Sequence, residues 1–377
     1  MDVHKVLDLV LPLFTLIIVC WTFPLLLIFK FVRSILRPLT KEEVKGKVVL
    51  ITGASSGIGE NLAYEYAKEG AYLVLIARRE DKLKVVAKKA GQLGSPDVLV
   101  VPADVTKVDD CKRFIEEAVN HFGKLDHLVC NAGFWSFCGF EEVVDVANLV
   151  QLMDANFWGS IYPTYFAIPH LKKSRGKIIV NSSISGTMFT ARMSIYAASK
   201  AALISFYDNL RIELGPEVSI TILTLGFVES ELTRGKFMSE KGIVEGNQDL
   251  THIILRTFPI ESIEKCAKVI IDGVCHGKKY ITEPKWYKNL TFLSILCPEV
   301  AESLWRILFL SDSSRPQLIN AIAIGIKSLA IKPYGYYGTV AERLHTSNDL
   351  HYAIWKEGLV AGKDRIEGKK IMHFGLD

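Results

Sequence analysis

Lys47-Val48-Val49-Leu50-Ile51-Thr52-Gly53-Ala54-Ser55-Ser56-Gly57-Ile58-Gly59 is the stretch that decides the fold. Its β-branched and Leu run, closed by glycine, predicts a strand buried on both faces. The residues from Glu60 to Glu69 predict a helix directly after it. Glycines let the backbone turn sharply and approach an anion, and a helix N-terminus adds oriented N–H groups. A glycine triplet alone is only a turn. Placed after the first strand of a βαβ unit, it predicts a site for a dinucleotide pyrophosphate, formed by Gly53, Ser55, Ser56, Gly57, Ile58 and Gly59. The spacing, Gly53-x-x-x-Gly57-x-Gly59, carries one residue more than GxGxxG.

Downstream, strands and helices alternate. Strands are predicted at Tyr72 to Ile76, Val98 to Pro102, Leu125 to Cys130, Lys177 to Asn181 and Ser219 to Leu225. Helices are predicted near Lys82 to Leu93, Val108 to Phe122, Leu149 to Leu171 and around Tyr196. Repeated β-α units with short turns imply an α/β fold, a Rossmann-type doubly wound parallel sheet with helices on both faces. The end of the second strand selects the cofactor: an acid there suits the ribose 2′-hydroxyl of NAD, an Arg the 2′-phosphate of NADP. Ala77-Arg78-Arg79 stands there, with no acid before Glu80, so NADP is favoured over NAD. One of the two arginines is expected to be a solvated turn residue.

Upstream, Leu9 to Phe29 is uncharged and mostly apolar, long enough as a helix to cross about 30 Å of hydrocarbon. Bulky Phe29-Lys30-Phe31 follows in place of a small-residue cleavage site, so residues 1–37 read as a retained membrane anchor. Lys30, Arg33 and Arg37 come after it, whereas Lys5 is offset by Asp2 and Asp8. That asymmetry places the following bulk of the chain in the cytosol. Pro12 and Pro24 each remove a helical hydrogen bond, leaving open a kinked span or a hairpin within one leaflet.

The 377 residues are 49% apolar and 23% charged, enough for a large core. A mean hydropathy of +0.23 is high and agrees with an anchored protein. A net charge of +4, evenly spread, gives no basis for nucleic-acid binding. The seven cysteines are scattered, with no CxxC or Cys/His cluster, so neither a disulfide framework nor a metal site is indicated.

Within Ser194-Ile195-Tyr196-Ala197-Ala198-Ser199-Lys200, a Tyr and a Lys lie one helical turn apart in an Ala-rich run. An ammonium beside a phenol favours phenolate, which lets Tyr196 exchange a proton with a substrate oxygen. Most such pairs are solvated helix faces; the surrounding motifs distinguish this one. Together they resemble the short-chain dehydrogenase/reductase family over about Gly46 to Asp272. The order is Gly53 to Gly59, Asp104 after the third strand, Asn131-Ala132-Gly133, Asn156, Ser183, then Tyr196 with Lys200. Cys130 stands where the family commonly has Asn, and Leu225-Gly226 where it commonly has Pro-Gly.

The resemblance implies a dehydrogenase body over residues 46–285 with Asn156, Ser183, Tyr196 and Lys200 as its catalytic set. Tyr196 would be the general acid/base, and Lys200 would lower its pKa and hold the nicotinamide ribose. Ser183 would donate to the developing oxyanion. Ser182 is its neighbour and rival, and the separation of thirteen residues from Tyr196 prefers Ser183. Asn156 would hold a relay water. Asp104 and Val105 would contact adenine, Asn131, Ala132 and Gly133 would line the cleft, and Val228 and Ser230 would meet the carboxamide. More narrowly, the whole chain resembles the steroleosins, the 11β-hydroxysteroid dehydrogenase-like family of plant lipid droplets. The carrying residues are the proline-bearing anchor, Glu229-Ser230-Glu231-Leu232-Thr233 and Tyr280-Ile281-Thr282-Glu283-Pro284. That resemblance implies NADP-dependent interconversion of a steroid or sterol hydroxyl and ketone. It also implies residence at the endoplasmic reticulum membrane or a lipid-droplet monolayer. The rival readings are a scaffold that only binds nucleotide and a reductase of another lipid ketone.

Glu231 to Pro259 is expected to cover the substrate. Residues 286–377 are expected to form a helical extension and tail. Apolar stretches at Trp286 to Leu310 and Leu318 to Ile331 would pack on the body, on a second copy in a homodimer, or on the membrane. From Lys332 onward the sequence carries no motif. Asn289-Leu290-Thr291 fits an N-glycosylation acceptor that would be used only in a lumen, while Asn181-Ser182-Ser183 lies on a predicted buried strand.

Overall fold

The Lys47 to Thr52 run forms β1 (Val48–Thr52), buried along its whole length, at the centre of a seven-stranded sheet. A computed structural model describes residues 3–36, 41–230, 236–246 and 258–309 of the chain. Around β1 lie β2 (Tyr72–Ala77), β3 (Val98–Pro102), β4 (His127–Cys130), β5 (Lys177–Asn181), β6 (Ser219–Leu225) and β9 (Tyr280–Glu283). Their order is β3-β2-β1-β4-β5-β6-β9, and every pair is parallel. A short antiparallel hairpin, β7 (Lys236–Met238) with β8 (Val244–Gly246), lies outside the sheet. The doubly wound expectation therefore holds. Most strands fall within a residue or two of their predicted bounds, because strands buried on both faces read as continuous apolar runs.

Parallel strands need crossovers, and the helices supply them on both faces. Helices α2 (Gly57–Lys68), α3 (Glu80–Leu93) and α8 (Ile263–Cys275) cover one face, burying Leu62, Tyr66, Leu83 and Ile270 against Ile51 and Leu75. Helices α4 (Val108–Phe122), α6 (Gly159–Ser174) and α7 (Ser194–Leu214) cover the other, with Phe114, Leu171 and Tyr207 against Leu50 and Ile178. Strand order reverses between β1 and β4, so a crevice opens above their carboxyl ends. The stretch predicted as one helix from Leu149 to Leu171 is broken. A short α5 (Val150–Met153) runs into a π-helical turn, Asp154–Trp158, before α6 begins.

Beyond the sheet, the C-terminal apolar stretch forms α9 (Tyr287–Leu296) and α10 (Pro298–Phe309). At the other end, α1 (Val3–Leu36) is one continuous helix that contains both Pro12 and Pro24. The hairpin alternative is not what forms. Thr15 and Thr22 each donate a hydroxyl to the carbonyl four residues back, at Leu11 and Ile18. Leu7–Phe29, apolar apart from Asp8 and polar Thr15 and Thr22, is unburied and long enough to span a membrane. Arg37, Glu231-Leu232-Thr233, most of the segment expected over the substrate, Leu318 to Ile331 and everything from Lys332 lie outside the described residues.

Candidate active site

At the carboxyl end of β1 the chain must reverse into α2, and Gly53 does so at φ +67°. A Cβ there would sit 2.8 Å from Ala132 Cα, so only glycine lets the turn pass beneath the Asn131-Ala132-Gly133 loop. Gly59 serves the same packing from the helix side: a Cβ would meet Gly53 O at 2.4 Å. Gly59 does not line the cavity, so its work is to seat the helix on the turn. Asn131 ties the strand ends together. Its backbone N–H donates to Thr52 Oγ1 at 3.0 Å, its amide donates to Thr52 O at 3.1 Å, and its Oδ1 accepts from Asn181 Nδ2 at 2.8 Å.

From this turn a cavity of about 620 Å³ runs along the crevice. Gly53, Ser55, Ser56, Gly57, Ile58, Arg78, Arg79, Asp104, Val105, Asn131, Ala132, Gly133, Ser183, Tyr196, Lys200, Val228 and Ser230 all line it, with Ser230 beside Gly57 and Gly133 beside Lys200. Nearly all the residues singled out from sequence are thus brought together. Arg78 is exposed at the end of β2. Arg79 instead folds over the turn, its Nη2 donating to Ser55 Oγ at 2.9 Å and Ser56 Oγ at 2.7 Å. The residues fit a nicotinamide dinucleotide: a glycine cradle that a Cβ would fill, an arginine over it, and one cavity continuous with a Tyr/Lys pair.

Ser183 ends β5's carboxyl turn and accepts a hydrogen bond from Ser185 N at 3.2 Å. Its hydroxyl donates to Leu225 O at 3.4 Å and faces the same cavity as the Tyr196 phenol. Ser182, the rival, is spent elsewhere, donating to Lys200 O at 2.9 Å. Burial pushes the Tyr196 phenol up, and the nearby Ser183 hydroxyl works against that rise. Lys200 is buried and pushed down to about 8 by that burial. Its Nζ donates to Asn181 O at 2.8 Å and lies 5.8 Å from the Tyr196 ring centroid.

Asn156 sits on the π-helical turn, wholly buried and off the cavity wall. Its Oδ1 accepts from Phe134 N at 2.9 Å, and its Nδ2 donates to Phe134 O at 2.9 Å and Ser199 Oγ at 3.0 Å. The amide is committed to clamping the Phe134 backbone, with one Oδ1 lone pair left towards Gly133. A Cβ on Gly133 would lie 2.6 Å from that oxygen and 3.7 Å from Lys200 Nζ, which is why glycine stands there.

Sequence reasoning missed the apolar walls. Phe134, Trp135, Phe137, Met188, Phe227, Tyr287, Trp305 and Phe309 line the Tyr196 end. No local motif announces them, since they come from several segments far apart in the chain. Tyr287 packs so closely on Gly226 that a Cβ there would sit 2.0 Å from its ring. Leu225, the departure noted in sequence, simply continues β6 in register with Glu283. Cys130, the other departure, packs beside Thr164 and Tyr207 behind the sheet, 3.7 Å and 3.9 Å from their hydroxyls.

Comparison with known proteins defines the class. A family profile described as short chain dehydrogenase matches residues 47–241, and the chain belongs to that family as an NAD(P)-dependent oxidoreductase. Its curated relatives narrow the group. It is 50% identical over 314 residues to 11-beta-hydroxysteroid dehydrogenase A of Arachis hypogaea, covering 83% of this chain and 90% of that one. It is 46% identical over 338 residues to the 11-beta-hydroxysteroid dehydrogenase of Pinus massoniana, covering 88% and 95%. Among solved structures, a short chain dehydrogenase/reductase from Burkholderia phymatum, crystallised with NAD, shares the fold. Its TM-score is 0.60 and its identity 24%, covering 68% of this chain and 96% of that one.

Proposed function

We propose that the protein is a membrane-anchored, NADP-dependent dehydrogenase/reductase that interconverts the hydroxyl and ketone of a steroid- or sterol-like lipid. The observation that carries this reading is one continuous cavity with a glycine turn under Arg79 at one end. At the other, Ser183, Tyr196 and Lys200 stand among aromatic walls. A bound nicotinamide dinucleotide would supply or accept the hydride. Tyr196 holds the proton that the substrate oxygen gains or loses, and the Ser183 hydroxyl, which lines the same cavity, orients that oxygen. The Lys200 ammonium, charged at neutral pH, favours the phenolate that proton donation leaves behind. The aromatic walls exclude water. Arg79 is the stronger candidate for reading the 2′-phosphate, because the Ser55 and Ser56 hydroxyls already hold it at the turn. The names of the plant relatives support a hydroxysteroid substrate. The unburied apolar helix Leu7–Phe29 supports attachment to a membrane or lipid-droplet surface.

The test is nicotinamide absorbance with detergent-solubilised full-length protein, an 11β-hydroxysteroid, and either NADP or NAD. Turnover that prefers NADP and falls by about 10²- to 10⁴-fold in Tyr196→Phe is expected. Turnover that survives in Tyr196→Phe would sink the mechanism.

A further inference from the structure

Trp305 and Phe309 stand one helical turn apart on α10, outside the segment that the family profile matches. Both line the cavity. Glu302 and Arg306, which flank these two rings on the helix, are exposed and bonded to each other at 2.8 Å, whereas Trp305 and Phe309 are half-buried. The aromatic face is therefore the one α10 turns inward. It does so as part of a stack. Fully buried Phe258 lies 6.0 Å from Trp305 at 25° and 6.2 Å from Phe309 at 8°, and Trp305 lies 5.3 Å from Phe309 at 19°. Phe227 backs Phe258 at 5.0 Å, and Phe137 meets Phe309 edge-on at 5.7 Å. Near-parallel rings wedged from behind make a flat, rigid wall, not a set of adaptable side chains.

We propose that Trp305 and Phe309 are specificity-determining residues. They wall the substrate end of the cavity and select flat, fused-ring lipid alcohols and ketones over flexible acyl ones. This rests on the lipid-dehydrogenase reading above. A rigid fused-ring substrate lays its whole face on such a wall and loses almost no internal freedom. An acyl chain must freeze each of its rotors to gain the same contact. The dehydrogenase core alone does not carry this selectivity, because Trp305 and Phe309 come from α10.

The test uses full-length solubilised enzyme and two probes: a tritiated 11β-hydroxysteroid for equilibrium binding to the NADPH complex, and 2-dodecanol as the flexible alcohol, with NADP as the oxidant wherever turnover of either is followed. Trp305→Ala and Phe309→Ala are expected to weaken steroid binding by about ten- to a hundredfold. NADPH affinity should be unchanged, 2-dodecanol oxidation should fall by much less than steroid binding, and Trp305→Phe should retain most of the steroid affinity. Failure of the wild type to bind the steroid would overturn the proposal. So would steroid affinity unchanged in both alanine variants, or a loss shared equally with NADPH. Wall-dependent steroid binding without oxidation of either alcohol would uphold the wall while overturning the redox reading.

Discussion

Lys200 carries the sharpest consequence at the scale of single residues. Its ammonium, pushed down to about 8 by burial, is charged at neutral pH and loses its proton above that. Ketone reduction needs Tyr196 protonated, and burial keeps the phenol protonated through the neutral range. The charge that favours the resulting phenolate is present below about pH 8 and lost above it. The kcat/KM for reduction at saturating NADPH should therefore be level through neutrality and fall as pH rises past about 8. Lys200→Arg, whose charge is not lost, should keep the profile level until Tyr196 itself ionises. A wild-type profile that climbs past that point would exclude this role for Lys200. The partner types here were legible in sequence because a one-turn Tyr/Lys spacing has a simple geometric meaning. Their balance was not. The bond from Lys200 to the Asn181 carbonyl, and the hold of the Asn156 amide on the Phe134 backbone across 22 residues, are set by the folded chain, and no spacing announces them.

Among the elements, the loop over the Tyr196 end is held by a latch rather than by regular structure. Arg192 adopts φ +62°, the left-handed region that disfavours a side chain. Its carbonyl accepts from Cys138 N at 2.9 Å, its guanidinium meets Glu142 at 2.5 Å, and it lies 5.6 Å from the Phe137 ring centroid. Phe137 and Met193, on either side of this contact, both line the cavity. Arg192→Gly removes the latch but relieves the backbone; Arg192→Ala removes it and keeps the strain. Both variants should raise KM for a lipid substrate without changing NADPH affinity. The alanine variant should also be less stable than the glycine one by about 1 kcal/mol in urea unfolding. Equal stability would mean that the turn relaxes, and an unchanged KM would mean that the loop stands without its latch. The sheet was legible from sequence and this roof was not, for one physical reason. Core strands advertise themselves by continuous apolar runs, whereas the hairpin of β7 and β8 is fixed by distant partners, Met238 N to Trp135 O and Val144 N to Glu240 O, each at 2.9 to 3.0 Å.

For the whole molecule, what matters is how the body joins the anchor and which side of the membrane it faces. Just after α1, Glu42 lies in a charged cluster with His127 and Lys177, 3.4 Å and 2.5 Å from their nitrogens. The His127 nitrogen facing that carboxylate must carry the hydrogen, so Nδ1 accepts from the Tyr66 hydroxyl at 3.1 Å. Burial lowers the pKa of His127, whereas Glu42, against the opposing effect of burial, is held well below the usual carboxylate range by His127 and Lys177. Both folded-state values lie below the unfolded ones, so the unfolded chain takes up protons first and stability falls on acidification. Thermal melts should decline from about pH 6.5 downward, and Glu42→Gln should cost about 1–3 kcal/mol at neutral pH by stranding Lys177. Facing is decided by charge and can be read at one exposed residue. Positive Lys30 and Arg33 follow the Leu7–Phe29 segment, and if that segment spans a membrane, this charge bias predicts a body in the cytosol. Asn289, in the acceptor triplet Asn289-Leu290-Thr291, is exposed on α9, so a lumenal body would present it to the glycosylation machinery. Full-length protein expressed in plant cells should therefore show no mobility shift with endoglycosidase and none in Asn289→Gln. A glycan lost in that variant would reverse the orientation, and with it the assignment of the catalytic cavity to the cytosolic NADPH pool.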